Sequence, residues 1–224
     1  MFGIKTRARI LFDRLFCAGA PHLERIGSVC PWVVMPKLIP PGGIVISGGV
    51  GRDIEFEKEL ARRFGCAVHL FDPTPTGKKT MALPENAVPG IVYHETGLAG
   101  NPGSFDFAYP HDLVEGSFGL ALADSRQTTR LECDSITNFM KLNGIEHCDL
   151  LKLDIEGFEY AVIDDLLGAS MMIPQICIEY HHFLPGIAIM TSFSQIRKLL
   201  RAGYRIAFKN KYEYLFVHVT CWPK

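Results

Sequence analysis

Short apolar runs and longer amphipathic stretches alternate along most of the chain. GIVIS (43–47) is a β-branched run between turn residues, and such a run reads as a strand buried on both faces. RDIEFEKELARRFG (52–65) sets Ile54, Leu60, Ala61 and Phe64 at helical spacing with charges opposite, and Gly65 marks the stop. CAVHLFD (66–72) returns as a strand, so the unit is strand, glycine turn, helix, strand, with a right-handed crossover. The same reading predicts strands at IVYHE (91–95), CDLLKLD (148–154) and QICIEY (175–180). Helices are predicted at SITNFMKLNG (135–144), FEYAVIDDLLG (158–168) and SFSQIRKLLRAG (192–203). YRIAFKN and EYLFVHV, joined by a polar turn at 209–212, form a closing antiparallel hairpin. Between 97 and 132 the rhythm breaks, and GLAGNPG, SFDFAYP and SFGLALA predict a hairpin or short antiparallel strands laid over the sheet.

Strands alternating with helices imply an α/β, three-layer, Rossmann-like fold with a mainly parallel seven-stranded sheet and a C-terminal antiparallel hairpin. Residues 41–224 form its domain. Residues 1–40 are expected to be an N-terminal helical segment, acting as a lid, a dimer arm or packing.

Composition narrows the partners. A chain of 224 residues with 48% hydrophobic and 21% charged content is one ordinary globular domain. A net charge of −1 and a pI near 6.7 exert no pull toward nucleic acid or an anionic membrane, so a small-molecule partner is expected, with homo-oligomerisation left open. Seven scattered cysteines without a CxxC suit reduced thiols and a cytoplasmic location. Arg7, Arg9, Asp13 and Arg14 interrupt any signal-peptide core, and no run approaches the ~20 apolar residues of a membrane span.

The chemistry starts at SGGVGRDIEFE. Ligands in such sheets bind at the carboxyl ends of the strands, where Ser47, Gly48, Gly49 and Gly51 let backbone approach a nucleotide. Asp72, ending the second strand, stands at the spacing of a carboxylate that accepts from a ribose diol. The plainer reading is that the glycines only close a tight turn. A dinucleotide site asks for a third glycine where Ile54 stands, and Asp53, Glu55, Glu57 and Glu59 at the helix start repel a pyrophosphate. A cationic or zwitterionic ligand without phosphate, such as S-adenosylmethionine, fits better.

SGGVGRDIEFE, HLFDPTPTG, LLKLDIEGFEYAVIDDLL and IEYHH together resemble the FkbM-type family of class I S-adenosylmethionine-dependent methyltransferases. The resemblance runs over about residues 40 to 220, and KxDIEGxE at 152–159 is its most specific part. It implies the class I methyltransferase fold, S-adenosyl-L-methionine as cofactor, and O-methylation of a hydroxylated small acceptor such as a sugar or secondary metabolite. The implied cofactor set is Ser47, Gly48, Gly49, Gly51, Asp53, Glu57, Asp72, Pro73 and Thr74. Many members carry an acidic residue where Ser47 stands, so the hold on the methionine amino group falls to Asp53, Glu57 or backbone.

A hydroxyl must lose its proton to a base, or to a divalent cation that lowers its pKa. Asp154 and Glu156 end one strand and Glu179, His181 and His182 end the next, so the five are expected to converge as the catalytic group. Similarity to catechol-type O-methyltransferases implies Mg2+ on Asp154, Glu179 and His181, although magnesium prefers oxygen. The plainer alternative is that His182 faces solvent, His181 satisfies a loop carbonyl and Glu156 caps a helix. Trp32, Phe105, Phe107 and Tyr109 are either an acceptor pocket or core. The rival functions are an NAD(P)-dependent oxidoreductase and a non-catalytic cofactor-binding module of the same fold.

Overall fold

The computed structural model describes residues 20–110, 116–122 and 125–223. The amphipathic helix expected at the N-terminus therefore lies, for residues 1–19, outside the described residues.

Residues 20–40 correct the expectation of a helical segment. Strands β1 (Glu24–Ile26) and β2 (Trp32–Val34) form an antiparallel hairpin, followed by a single 3-10 turn at Pro36–Leu38. Gly27, at φ +88°, and Pro31 both oppose a helix here, and Ile26, Trp32 and Val34 are buried while Val33 is only partly so. Alternate residues thus face the core, at the period of a strand.

The chain then enters the sheet through β3 (Ile44–Gly48), α1 (Glu55–Phe64) and β4 (Ala67–Phe71). Gly65 ends α1 in the left-handed conformation, as its position in the sequence implied. A helix absent from the periodic reading follows, α2 (Pro75–Met81), started by Pro75 and by the Thr74 hydroxyl, which accepts from the Gly77 N–H at 3.1 Å. Next come β5 (Ile91–His94), β6 (Gly97–Leu98), β7 (Gly103–Ala108), β8 (Gly119–Leu120) and β9 (Thr128–Asp134). The last four make a small separate sheet in the order β6-β9-β7-β8, which fulfils the expected short strands with one extra parallel pair, β6 on β9. The remaining elements are α3 (Ile136–Asn143), β10 (Leu150–Leu153), α4 (Glu159–Gly168), β11 (Gln175–Glu179), α5 (Ile189–Arg201), β12 (Tyr204–Asn210) and β13 (Glu213–His218).

The central sheet runs β12-β13-β11-β10-β3-β4-β5, with β13 antiparallel to both neighbours and the five strands from β11 to β5 mutually parallel. Period-two alternation splits its residues between two cores. Ile46, Leu151, Leu153, Ile176 and Ile178 pack with α3, α4 and α5 on one face. Val45, Leu150, Cys177 and Leu215 pack with α1 and the β1–β2 hairpin on the other. Among the described residues Cys66, Cys133, Cys148 and Cys177 are buried free thiols, and no helix is long and apolar enough to cross a membrane.

Candidate active site

The order reverses between β3 and β10, and a cavity of about 540 Å³ opens at their carboxyl ends. Its walls are the glycine turn after β3, the loop after β4, the turn after β10, residues 116–118 and the hairpin residues Val29, Cys30 and Trp32. A turn this tight exists because Gly49 adopts φ +91° with its α-carbon against the Asp154 carbonyl, where a side chain has no room.

Of the cofactor set, Gly49, Gly51, Asp53, Glu57, Asp72, Pro73 and Thr74 line the cavity. Ser47 and Gly48 do not: Ser47 is fully buried beneath the turn, donating its hydroxyl to Glu57 Oε1 at 2.6 Å, and Gly48 packs against Ile155 and Leu98. Burial pushes the Glu57 carboxyl above the ordinary carboxylate range, against the pull of Lys152 and the Ser47 hydrogen bond. Asp72 is 5% exposed and already tied to backbone. Its Oδ2 accepts from the Val50 and Gly51 N–H groups at 3.0 and 3.3 Å, and its Oδ1 from Thr74 N–H at 2.8 Å. The carboxylate thereby fixes the glycine turn to the end of β4, and Oδ1, with one donor, keeps a second lone pair for a hydroxyl.

Of the five residues expected to converge, Asp154 and Glu156 reach the cavity and Glu179, His181 and His182 do not line it. Glu156 adopts φ +49° in the turn after β10, a conformation rare for a residue with a side chain, and Leu120 N–H of β8 pins it by donating to its carbonyl at 2.9 Å. Burial raises the Glu156 carboxyl, opposed by His181 and reinforced by Asp154, and Ser117 hydrogen-bonds it. His181, 2% exposed, sits behind both acids with Nε2 at 3.6 Å from Asp154 Oδ1 and 3.4 Å from Glu156 Oε2. Glu159, fully buried, holds it from below: its Oε1 accepts from the His181 backbone N–H at 2.9 Å and lies 3.3 Å from Nδ1, while Oε2 accepts from Gly157 N–H at 2.8 Å. Burial lowers the His181 pKa, but the hydrogen bond and charge of Glu159 with the charges of Glu156 and Asp154 outweigh it, leaving it raised to about 9. At neutral pH this imidazole is a cation clamped by carboxylates and has no lone pair to offer a substrate proton.

Glu179 stands at the end of β11 in register with Glu213, its carboxyl raised to about 7 by burial and by Asp154. His182 turns away, with Nδ1 at 2.9 Å from Ser192 Oγ and its ring against Tyr212. Among the described residues, those whose donor atoms lie within 4.8 Å of one another are Asp154, Glu156 and His181, so Glu156 stands where the sequence reading put Glu179. Two carboxylates with one imidazole nitrogen do not fit Mg2+, which favours an all-oxygen shell. Trp32 and Phe107 line the cavity; Phe105 and Tyr109 pack with Phe158 and Phe118 in the core of the small sheet. Lys152, given no role by sequence reasoning, lines the cavity and donates to the Gly49 carbonyl at 2.8 Å. The one signal was its place in KxDIEGxE, a lysine inside an otherwise apolar strand.

The raised His181 pKa carries a stability consequence. Its usual value is 6.5 and its folded value about 9, so the stabilisation is complete below pH 6.5 and is lost as pH rises through about 9. His181→Gln is expected to flatten the fall in unfolding free energy between pH 6.5 and about 9 relative to the parent chain, as measured by urea denaturation across that range.

The strand order, with one reversed strand beside the C-terminal edge, and a cavity over the glycine turn are those of the class I methyltransferase fold, and the match to a methyltransferase family over most of the chain makes the protein an S-adenosylmethionine-dependent methyltransferase. More narrowly, the chain belongs to the FkbM methyltransferase domain family, which matches residues 47–206. No curated protein matches the sequence. Among solved structures it is similar to the fibrillarin pre-rRNA processing protein of Methanococcus jannaschii, at 13% identity and a TM-score of 0.42 over 88% of this chain and 82% of that one. It is similar also to a methyltransferase from Pyrococcus furiosus, at 11% identity and a TM-score of 0.38 over 95% and 96% of the two chains. A third is M. jannaschii TYW2 in complex with AdoMet, at 10% identity and a TM-score of 0.34 over 89% and 85%.

Proposed function

We propose that the protein transfers the S-adenosylmethionine methyl group to a hydroxyl oxygen of a small acceptor, such as a sugar or secondary metabolite, with Glu156 as general base. The observation that carries this reading is the placement of Glu156: it lines the cavity beside Asp154, and burial raises its carboxyl, which makes it a stronger base than an exposed glutamate. The acceptor oxygen attacks the methyl carbon in line as the bond to sulfur breaks, its electron pair remaining on sulfur as S-adenosylhomocysteine forms. The hydroxyl proton passes to Glu156. His181, kept protonated by Glu159, balances Asp154 and Glu156 and orients both. A sulfonium needs no help in leaving, so alignment and deprotonation are the protein's task. The acidic start of α1, with Glu55 and Glu57 in its first turn, favours this ligand over a nicotinamide dinucleotide.

Calorimetric titration with S-adenosylmethionine, S-adenosylhomocysteine and NADH, followed by turnover on a panel of hydroxylated acceptors with EDTA or added Mg2+, tests the proposal. Binding of both adenosyl compounds and EDTA-insensitive methyl ether formation are expected. NADH binding alone, or cofactor binding with methylation of nitrogen only, would sink it.

A further inference from the structure

We propose that Lys152 receives the carboxylate of the cofactor's amino-acid end, in a zwitterion subsite closed by Trp32 and completed by Asp53, Glu57 and Asp154. This rests on S-adenosylmethionine being the ligand of the cavity. β10 lies in the middle of the sheet, and its other residues, Leu150, Leu151 and Leu153, are fully buried apolar side chains. Lys152 interrupts them on the hairpin face, in register between Ser47 and Cys177, and is 5% exposed. A buried ammonium costs several kcal/mol unless it is compensated, so its presence needs a reason.

The compensation within the protein is partial. Nζ donates to the Gly49 carbonyl at 2.8 Å, lies 3.7 Å from Asp154 Oδ2, beyond hydrogen-bond reach, and sits 5.6 Å from the centre of the Trp32 ring. An ammonium has three donors and one is engaged in a close hydrogen bond. The side chain borders the cavity, so a ligand oxygen can take another.

The neighbouring charges supply the complement. Asp53, Glu57 and Asp154 line the same end of the cavity, and the Cys30 thiol, also in the wall, feels all three together with Lys152. Three carboxylates and one buried ammonium suit a ligand that brings an ammonium and a carboxylate on one carbon. The N-terminal hairpin completes this end by laying Trp32 over Lys152, which gives Val29, Cys30 and Trp32 a part in cofactor recognition.

A bracing role, in which Lys152 merely holds the glycine turn through Gly49, predicts something different. The test compares S-adenosylhomocysteine with 5′-methylthioadenosine, which shares the adenosine and the thioether but lacks the amino-acid end. For Lys152→Met, affinity for S-adenosylhomocysteine is expected to fall about tenfold or more, and for methylthioadenosine to stay within about twofold. A parallel loss of both ligands, or no loss of either, overturns the assignment. Should Lys152→Met fail to fold, the parent protein is titrated with S-adenosylhomocysteine and its decarboxylated analogue. Binding of the analogue about tenfold weaker supports the subsite, and equal binding overturns it. Failure of the parent protein to bind any adenosyl compound would instead remove the cofactor reading beneath it.

Discussion

Glu156→Gln is expected to lower kcat by about 10² to 10⁴-fold, the range contributed by a positioned general base, with cofactor affinity almost unchanged. Glutamine keeps the shape of the side chain and can still hydrogen-bond Ser117, and the backbone bond from Leu120 N–H to the carbonyl of residue 156 is untouched. What it loses is the ability to take a proton. The effect belongs to the chemical step, so KM for the acceptor changes little and kcat/KM falls with kcat. The pH profile sharpens the test. In the parent enzyme activity rises as Glu156 ionises, and because burial raises that carboxyl above its ordinary value, the rise falls at higher pH than for an exposed glutamate. In the variant this limb disappears. Near-parental turnover by Glu156→Gln would leave Asp154 as the other carboxylate of the β10 turn that lines the cavity and overturn the assignment of the base.

Gly49→Ala is expected to be the most damaging single methyl group among the described glycines. The added carbon collides with the carbonyl oxygen of Asp154, a backbone atom that cannot swing aside, and Gly49 holds φ +91°, which an alanine adopts only under strain. The two effects together cost about 3 kcal/mol or more. At 2–4 °C per kcal/mol for a chain of this size, the melting temperature falls by roughly 6 to 12 °C. The function suffers beyond the stability loss, because relieving the collision pushes the glycine turn away from the β10 turn that carries Asp154 and Glu156. Affinity for S-adenosylhomocysteine is expected to drop at least about tenfold even well below the melting temperature, and thermal denaturation with and without ligand measures both quantities. Gly51→Ala, two residues on, serves as the control: its φ of +55° carries strain, but nothing lies within 4 Å of the added carbon, so it should cost less than Gly49→Ala.

The strands and helices of the central layer were legible because each satisfies its own neighbours. Runs such as LLKL of β10 and QICI of β11 are buried along their length, and Gly65 and Gly144 stop helices in the left-handed conformation that glycine tolerates. Asp72 was legible for the same kind of reason, since its distance from the glycine turn follows from one helix and one strand of ordinary length. The hairpin at 24–34 was missed because two strands of 3 residues each are too short for a period to declare itself, and their burial comes from α1 and the sheet rather than from each other.

The sequence by itself determined the α/β order, the turn at the carboxyl end of β3 and the carboxylates that could face it, because local spacing places a residue at the end of its strand. Only the tertiary structure decided which of those residues act together. Glu179 and His182 end or follow the same strand as His181, yet a side chain's direction depends on what packs against it: Ser192 and Tyr212 draw His182 away, while Glu159, on a helix, draws His181 inward and keeps it charged. Lys152 likewise becomes part of the site only when Trp32, 120 positions earlier in the chain, closes over it. Proximity along the chain sets where a side chain begins, and the charges and surfaces brought to it by folding set what it can do.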